Sequence, residues 1–385
     1  MTTRFPLDTL ALTRALVSID SRNPSLVPGG PGEAAVAAFL AEVLSGWDFE
    51  VQVVEVAPGR PNVLARIGPR GVHPLVLNGH LDVVGVDDMT HAPFTATVAD
   101  GSLYARGSSD MKGGIAAMCV AAARAAQEGR LQREVLVAAV CDEEFASIGT
   151  RHLLAGGLPA DCHPVAAIVT EPTRLAVVPA HKGFAWFEFS VTGRAAHGSR
   201  YDVGIDANRQ GARVMQALDA FERDVLSHRT HPLLGRASLH VAMVSGGTGW
   251  STYAEHCVLR VERRTLPGEV SAEVHEEIEA LCAGLRREGL DLQFRLECAQ
   301  PPLDTAAEAD IVRRLRAACV SSNVPDSVNG LWCWTDAALF SAAGIPALCF
   351  GPGDIARAHS ATEWVELDQL HAAEQVLHAV LTAPI

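Results

Sequence analysis

The sequence predicts a two-domain α/β protein, in which an α+β domain is inserted into a domain built on a mixed sheet. Three observations support this. The 385 residues exceed the size at which one hydrophobic core usually stops growing. Nearly continuous apolar runs alternate with helical segments between residues 75 and 175, whereas the strands predicted after residue 181 mix polar and apolar side chains. A strand of the first kind returns near residue 347, so we expect the chain to come back to its first domain.

The first domain is predicted from short apolar runs bounded by glycine, proline or charged residues. Its predicted strands are 75–77, 135–140, 165–169 and 347–350, and its predicted helices cover 113–127 and 308–320. Runs that are apolar throughout are typical of strands covered on both faces by helices. We therefore expect residues 1–179 and 301–385 to form this domain.

Residues 180–300 are predicted to form the inserted domain. The pattern predicts strand 184–192, helix 206–224, strand 237–245, strand 256–265, helix 271–288 and strand 291–298. This strand-helix-strand-strand-helix-strand order is that of a ferredoxin-like fold. Because its strands alternate polar and apolar residues, one face of the sheet is expected to lie in water.

The composition argues against several classes of function. A formal net charge of -14 would repel a nucleic-acid backbone. No signal peptide is visible at the start, and the most apolar helical stretch, 115–126, is too short to cross a bilayer of about 30 Å. The nine cysteines include no Cys-x-x-Cys pair and are expected to be reduced. We therefore expect a cytoplasmic protein without nucleic-acid or membrane partners.

Side chains of the metal-ligand type follow the carboxyl ends of four predicted strands, and one more opens the helix between two of them. They are His80 with Asp82, the run Asp142-Glu143-Glu144, Glu171, His359 and, before the helix, Asp110. Open α/β sheets bind ligands at this edge. Two histidines and several carboxylates without thiolates suit Zn²⁺, Co²⁺ or Mn²⁺ in a site left partly open to water.

Each motif taken alone also has a simpler interpretation. His80 and Asp82 form a common short pairing that arises often by chance. Asp110 could be an ordinary residue at a helix N-terminus, where backbone N–H groups favour a carboxylate. The three successive carboxylates could lie in a solvated loop. The metal-site hypothesis therefore rests on the coincidence of these residues at one sheet edge.

As a set, the motifs resemble the M20 metallopeptidases, and most closely the branch of acetylornithine deacetylases and succinyl-diaminopimelate desuccinylases. The resemblance spans nearly the whole chain. It rests on Gly79-His80-Leu81-Asp82, Gly107-Ser108-Ser109-Asp110-Met111-Lys112-Gly113-Gly114, Asp142-Glu143-Glu144, Thr170-Glu171-Pro172, and Gly351-Pro352-Gly353 followed by His359. It implies a zinc-exopeptidase-like catalytic domain and an inserted dimerisation or lid domain.

The resemblance also implies a role for each ligand-type residue. The implied ligands are His80, Asp110 and Glu171 for one divalent metal ion, and Asp110, Glu144 and His359 for a second. Zn²⁺ is the first expectation for both, with Co²⁺ or Mn²⁺ as alternatives. Glu143 would be the general base, and Asp82 would orient the imidazole of His80. The peptide bond between Asp110 and Met111 would be cis.

In the inserted domain the resemblance assigns His197, within Gly193-Arg194-Ala195-Ala196-His197-Gly198-Ser199, to the site of a neighbouring subunit in a homodimer. There it would donate a hydrogen bond to the developing oxyanion. From the residues alone, His197 is only a solvated turn residue.

Substrate contacts are expected from arginines of the same domain. Arg264 takes the position of an arginine that would hold a substrate carboxylate, and Arg260 and Arg263 are close alternatives. Gly353 is also expected to contact substrate. The pattern departs from the family at Glu262, where an aspartate is usual, and over 246–253, which lacks the usual asparagine and proline.

The function expected from the resemblance is hydrolysis of a linear amide by metal-activated water, with Glu143 as general base. The first expectation is removal of an N-acyl group, such as acetyl, from an amino acid such as N-acetylornithine, as in arginine biosynthesis. The alternatives are a carboxypeptidase or dipeptidase, and a succinyl-diaminopimelate desuccinylase. From a different class, the chain could be a non-catalytic metal-dependent binding module, although such a module would not need Glu143.

Overall fold

The structure is a computed structural model that describes residues 5–70, 73–159 and 161–384. Its strands are β1 (Glu50–Ala57), β2 (Arg60–Ile67), β3 (Leu75–His80), β4 (Thr97–Ala99), β5 (Ser102–Tyr104), β6 (Val135–Val140), β7 (Ala166–Val169), β8 (Val177–His181), β9 (Gly183–Thr192), β10 (Thr230–His231), β11 (Gly235–Arg236), β12 (Ser238–Gly246), β13 (His256–Thr265), β14 (Asp291–Gln300), β15 (Leu303–Asp304), β16 (Val328–Leu331), β17 (Ala347–Cys349) and β18 (Trp364–Glu366). Its α-helices are α1 (Thr9–Val17), α2 (Ala34–Gly46), α3 (Gly113–Gln127), α4 (Ile148–His152), α5 (Ala207–Asp224), α6 (Ser271–Arg287), α7 (Asp310–Ser321), α8 (Ala337–Ala342) and α9 (Leu367–Thr382).

The chain divides into two compact units, and the second interrupts the first. Of the described residues, the first unit holds those up to Pro179, then Thr305–Asn329 and those from Thr335 onward. The second unit holds Ala180–Asp304 and Gly330–Trp334. The second unit therefore includes the short segment Gly330–Trp334, which lies outside the insertion predicted over 180–300.

The main sheet of the first unit has the strand order β1-β2-β6-β3-β7-β17-β8. β3 pairs in parallel with β6 and β7, and β17 pairs in parallel with β7. β1, β2 and β6 are joined by antiparallel pairs, as are β17 and β8. The predicted mixed sheet is therefore confirmed, and its four parallel strands end at one edge.

These parallel strands form where the apolar runs predict them, because both of their faces are covered. Every residue of β3, β6, β7 and β17 is buried. Helices α1, α2, α3, α7 and α9 contribute to the same hydrophobic core.

Helix α3 is unusually closely packed because its sequence is rich in alanine and glycine. Nearly all of its residues are buried. A Cβ atom placed on Gly114 would lie 2.0 Å from the carbonyl oxygen of Thr170, so only glycine permits this approach of the helix to the end of β7. The first turn of α3 therefore lies directly against the edge where the parallel strands end.

A small sheet of order β18-β5-β4 belongs to the same unit. It places Trp364 opposite Tyr104 and Glu366 opposite Ser102 in an antiparallel pair. The sheet thereby aligns two chain segments that flank the edge described above, one before α3 and one before α9.

The second unit contains an antiparallel sheet of order β12-β13-β9-β14. Helices α5 and α6 supply its core together with the inward-facing residues of the strands. The predicted element order is confirmed, and its last strand runs two residues further than predicted, to Gln300. Trp186 is 38% exposed between the buried Ala185 and Phe187, as the alternating pattern predicts, whereas Met243 lies in a run of residues, 242–246, that is exposed throughout.

Among the described residues, no helix combines the length and the apolar composition needed to cross a bilayer.

Candidate metal centre

Two groups of three side chains in the first unit bring together atoms of the metal-ligand type. His80, Asp110 and Glu171 form one group, and Asp110, Glu144 and His359 form the other. Within each group the ligand atoms all lie within 4.8 Å of one another. Asp110 belongs to both groups, so the structure brings together all five ligands that the sequence predicts.

Each of these side chains is placed by the end of a parallel strand or by the turn before α3. His80 is the last residue of β3, Glu144 follows β6 and Glu171 follows β7. His359 follows β17, and Asp110 lies in the helical turn that precedes α3. The peptide bond between Asp110 and Met111 is cis, which confirms the expectation from the sequence.

The two carboxylate oxygens of Asp110 face different histidines. Its Oδ1 atom lies 3.0 Å from Nε2 of His80, and its Oδ2 atom lies 3.4 Å from Nε2 of His359. The same nitrogen of His359 lies 2.9 Å from Oε2 of Glu144. His80 is buried, whereas the side chain of His359 is 53% exposed. A carboxylate with this arrangement can bridge two cations, one of which is open to solvent.

The ring of His80 is oriented by a backbone group. Its Nδ1 atom lies 2.9 Å from the carbonyl oxygen of Asp82 and 3.7 Å from the Oδ1 atom of the same residue. The Nδ1 hydrogen is therefore directed to a carbonyl, which leaves Nε2 as the ligand atom. The resemblance predicts that the carboxylate of Asp82 orients His80. In the structure the backbone carbonyl of Asp82 is the closer acceptor, and the carboxylate lies 3.7 Å from Nδ1 of His80.

The carboxylate of Asp82 binds the backbone of the two glutamates instead. The N–H groups of Glu143 and Glu144 donate to Oδ1 and Oδ2 of Asp82, each over 3.2 Å. One buried residue thus fixes both the imidazole at the end of β3 and the turn that follows β6.

The histidines and the shared aspartate perturb each other's pKa values strongly. Burial opposes the charge on His359, but hydrogen bonds to Asp110 and Glu144 outweigh it and raise the His359 pKa to about 11. Burial alone would raise the pKa of Asp110, but the hydrogen bonds to His359 and His80 lower it well below its ordinary value. In the absence of a cation, protonated histidines balance the shared carboxylate.

The pKa values of the three glutamates are raised, opposite in direction to the pKa of Asp110. Burial, followed by the charge of a neighbouring carboxylate, raises the pKa of Glu143, Glu144 and Glu171. In addition, Oε1 of Glu171 is buried and has no hydrogen-bond partner among the described residues. Carboxylates crowded in a buried site and an oxygen without a donor are unfavourable unless a cation is present. These residues therefore fit a pair of divalent ions with nitrogen and oxygen ligands.

A buried polar network that the sequence did not predict supports the turn bearing Glu143 and Glu144. Asn23 donates from Nδ2 to Asp82 over 2.8 Å and to Asp142 over 3.1 Å. The Nη2 atom of Arg60 lies 3.0 Å from Oδ1 of Asp142, and the carboxylate of Glu33 accepts a hydrogen bond from the backbone N–H of Asp142. These contacts hold Asp142 in a left-handed backbone conformation, φ 65°, which is unusual for a residue with a side chain.

Asp336 is a buried carboxylate that the sequence did not predict. It is 1% exposed and accepts a hydrogen bond of 2.5 Å from the hydroxyl of Thr150. Burial raises its pKa to about 6, although the bond from Thr150 opposes the shift. Sequence patterns do not single out Asp336, because an aspartate just before a helix, here α8, is ordinarily explained as a helix cap.

The second unit carries the other predicted site residues. His197 is exposed, and its Nδ1 atom lies 2.8 Å from the hydroxyl of Ser199. The side chain of Arg263 is fully buried and binds Glu269 and Glu277, which is a structural role within the unit.

The remaining arginines of strand β13 are partly exposed. Arg260 pairs with Glu188 over 2.9 Å, and Arg264 pairs with Glu262 over 2.7 Å. Arg260 and Arg264 therefore stay as the predicted substrate contacts, whereas the burial of Arg263 disfavours it.

Gly353 lies in the first unit, in the loop after β17. Its φ of 92° favours glycine, and an added Cβ would meet Ser109 Oγ at 2.3 Å. Its N–H donates to the side chain of Gln369 over 2.9 Å. The need for glycine at this position is therefore explained by backbone conformation and close packing.

Comparisons with known proteins match most of the chain to one family. The model of the family described as Peptidase family M20/M25/M40 matches residues 76–383. Acetylornithine deacetylase of Myxococcus xanthus is 32% identical, with 96% of this chain and 97% of that protein covered. Acetylornithine deacetylase of Vibrio cholerae strain M66-2 is 27% identical, with 96% of each covered.

Solved structures of similar fold cover nearly the whole chain. A tripeptidase from Staphylococcus aureus has a TM-score of 0.81 at 16% identity and 98% coverage of both chains. An M20 family metallo-carboxypeptidase from Sulfolobus solfataricus has a TM-score of 0.81 at 17% identity, covering 97% of this chain and 98% of that one. A dinuclear metal-binding peptidase of the M20 family from Bacillus subtilis has a TM-score of 0.74 at 16% identity, covering 97% and 96%. The chain therefore belongs to peptidase family M20/M25/M40, as a hydrolase of that family.

Proposed function

We propose that this hydrolase uses two divalent metal ions to remove an N-acyl group from an amino acid, with N-acetylornithine as the first substrate to test. The observation that carries the proposal is the sharing of Asp110 between two ligand groups, together with Glu143, which belongs to neither group and whose pKa is raised by burial and by the charge of Glu171. The curated relatives named above favour the acyl group over a peptide as the substrate class.

His80, Asp110 and Glu171 would hold one ion, and Asp110, Glu144 and His359 would hold the other. Zn²⁺ is proposed for both positions, with Co²⁺ or Mn²⁺ as alternatives, because the ligands are nitrogen and oxygen atoms. When bound, such ions lower the pKa of a water molecule and polarise an amide carbonyl.

Glu143 is the proposed general base. Its pKa is raised by burial and by the charge of Glu171, and its backbone is fixed by Asp82. A partly buried carboxylate held in this way can take a proton from the attacking water and pass it to the leaving amine nitrogen. A binding module would not need such a group, which disfavours the non-catalytic alternative.

His197 is proposed to act in the site of a second copy of the chain, where its imidazole would donate to the developing oxyanion. The chain would accordingly be a homodimer. Arg264 or Arg260 is proposed to hold the α-carboxylate of the substrate, for which a guanidinium is geometrically suited.

A peptide substrate is the second candidate. The solved structures of similar fold include a tripeptidase and a carboxypeptidase. N-succinyl-diaminopimelate is a further candidate, because its scissile bond is also an acyl amide next to a carboxylate. All three substrate classes would use the same metal ligands and the same base.

The proposal is tested with zinc-loaded protein on N-acetylornithine, other N-acyl amino acids, N-succinyl-diaminopimelate and dipeptides, measured side by side. We expect the highest kcat/KM for an N-acyl amino acid. We expect Glu143→Gln to lower kcat by at least about 10²-fold, which is the usual contribution of a general base. Glu308→Gln serves as the control because Glu308 is exposed.

If only dipeptides were cleaved, the deacylase proposal would be wrong and the peptidase candidate would be favoured. Unchanged hydrolysis by Glu143→Gln would show that the proposed base is wrong. Metal binding without cleavage of any of these substrates would favour the non-catalytic module.

A further inference from the structure

Glu363 is a fully buried carboxylate that neither metal-ligand group contains. Its Oε1 atom accepts the backbone N–H groups of Ser109, over 2.9 Å, and Asp110, over 3.0 Å. Its Oε2 atom accepts a hydrogen bond of 2.7 Å from Nη1 of Arg106. Its exposure is 0%, and that of Arg106 is 1%. Both of its oxygens are therefore directed at the segment that carries the shared ligand.

A carboxylate in this environment needs these donors. Burial raises the pKa of Glu363, and the charge of Arg106 opposes the shift. Arg106 is itself anchored, since its Nε atom donates to the carbonyl oxygen of Gly85 over 3.1 Å. A buried ion pair whose partners are hydrogen-bonded in this way is costly to disrupt from one side only.

The small sheet of the first unit explains why these two segments meet. Glu363 directly precedes β18, and Arg106 follows shortly after β5, the strand with which β18 pairs. The pairing of Trp364 with Tyr104 brings the two segments alongside each other. The carboxylate of Glu363 can thereby reach the backbone of Asp110 across a short distance.

Glu363 also connects the two ligands that lie on loops. Asp110 lies in the turn before α3, whereas His359 precedes Glu363 in the loop after β17 and has a left-handed backbone with φ 57°. The side chain of His359 is more than half exposed, and its Nε2 atom lies near the carboxylates of Glu144 and Asp110. An anchor at Glu363 fixes the end of the loop that carries His359 and, at the same time, the backbone of Asp110.

We infer that Glu363, paired with Arg106, is a positioning residue that sets the orientation of the shared ligand Asp110 and of the loop bearing His359. This inference rests on the proposed two-metal function. Glu363→Gln keeps the shape of the side chain, but its amide cannot accept from Arg106 and from both backbone N–H groups at once. The geometry of both metal positions is therefore expected to change, because Asp110 belongs to both.

The test measures metal binding separately from activity. Metal-free wild-type protein and Glu363→Gln are titrated with Zn²⁺ by calorimetry, and the visible absorption spectrum is recorded for the forms loaded with Co²⁺. We expect Glu363→Gln to weaken metal binding by about 10–100-fold, as loss of an outer-shell partner commonly does, and to alter the Co²⁺ spectrum. Its kcat is expected to fall more than its KM changes. Glu308→Gln, at an exposed position, is the matched control.

Arg106→Lys keeps the positive charge but loses the fork of the guanidinium, and it gives the same comparison if Glu363→Gln does not fold. A smaller loss of metal affinity in the same direction is expected for this variant. Metal affinities and a Co²⁺ spectrum equal to those of the wild type, in a folded Glu363 variant, would overturn the inference even if the variant melts at a lower temperature. The proposed function can fail separately, if the wild type binds both metals but cleaves none of the substrates.

Discussion

Asp82 acts on two parts of the site through different atoms. Its carbonyl oxygen accepts from Nδ1 of His80, whereas its carboxylate accepts the N–H groups of Glu143 and Glu144. Any residue at this position would supply the carbonyl, but only a carboxylate offers two acceptor oxygens to two neighbouring N–H groups. The side chain should therefore matter more to the turn after β6 than to the imidazole at the end of β3.

Asp82→Asn tests this division. The amide presents an NH₂ group to one of the two backbone N–H groups, so the position of Glu143 and Glu144 is expected to relax. We expect kcat/KM to fall by about 10–100-fold, the range typical for partners of metal ligands. At limiting Zn²⁺, the ion held by Glu144 should be lost before the ion held by His80, as measured by anomalous diffraction at the zinc edge.

Asp88→Asn is the control for this prediction, because Asp88 is exposed. Earlier loss of the ion at His80 would contradict the argument and would favour direct orientation of the imidazole by the carboxylate.

The five ligand-type side chains that the structure brings together could be named from the sequence, because histidines and carboxylates after apolar runs are recognisable by type and the set resembles a known family. The groups that position these side chains could not be predicted in the same way. The acceptor of His80 is a backbone carbonyl, which every residue possesses. Asn23 and Glu363 approach the site from distant parts of the chain, and nothing in their local sequence indicates burial. Such residues are defined by tertiary contacts alone.

Helices α4 and α8 are joined through Asp336, the residue that precedes α8. Its carboxylate is buried and accepts the hydroxyl hydrogen of Thr150 in α4. Because burial raises the pKa of Asp336 to about 6, above its ordinary 3.8, the folded protein holds this proton at pH values where the unfolded chain has lost it. Stability therefore decreases as pH rises from about 3.8 to about 6, and the cost is fully present above that window.

Asp336→Asn should remove this cost and keep the bond from Thr150, because the amide oxygen is also an acceptor. We expect the stability of the variant to increase relative to the wild type as pH rises from about 4 to about 6, by up to about 1.4 kcal/mol per pH unit, and the difference to stay constant above that window. The measurement is the thermal unfolding of metal-free protein at several pH values. Asp88→Asn should show no such trend, and a constant difference between Asp336→Asn and wild type inside the window would contradict the prediction.

Sequence patterns identified the elements that are buried on both faces better than the shorter ones. β6 has the predicted bounds, Val135–Val140, because all of its residues are apolar and buried. The strands β4, β5 and β18 have three residues each, too few to show an alternation. These short strands nonetheless align Glu363 with the turn of Asp110, so an element without a sequence signal positions part of the site.

At the scale of the whole molecule, the parallel connections explain why ligands so distant in sequence converge. Between His80 and His359 the chain forms the parallel strands β6 and β7, passes through the second unit and returns in β17. The first unit supplies all members of both ligand groups. The second unit carries His197, for which the proposed role lies in another copy of the chain. That role can be tested because the base and His197 would then come from different subunits of each site.

Co-expression of two inactive variants with different tags gives this test. Glu143→Gln and His197→Ala homodimers are each expected to have little activity, since each lacks one proposed group in both sites. In the purified heterodimer, one site lacks both the base and the imidazole, whereas the other combines the wild-type Glu143 of one chain with the wild-type His197 of its partner. The heterodimer should then recover about half of the wild-type activity, because one of two symmetric sites is complete. If His197 acted within its own chain, each site would lack one group and no recovery would occur, and a monomeric protein would yield no heterodimer at all.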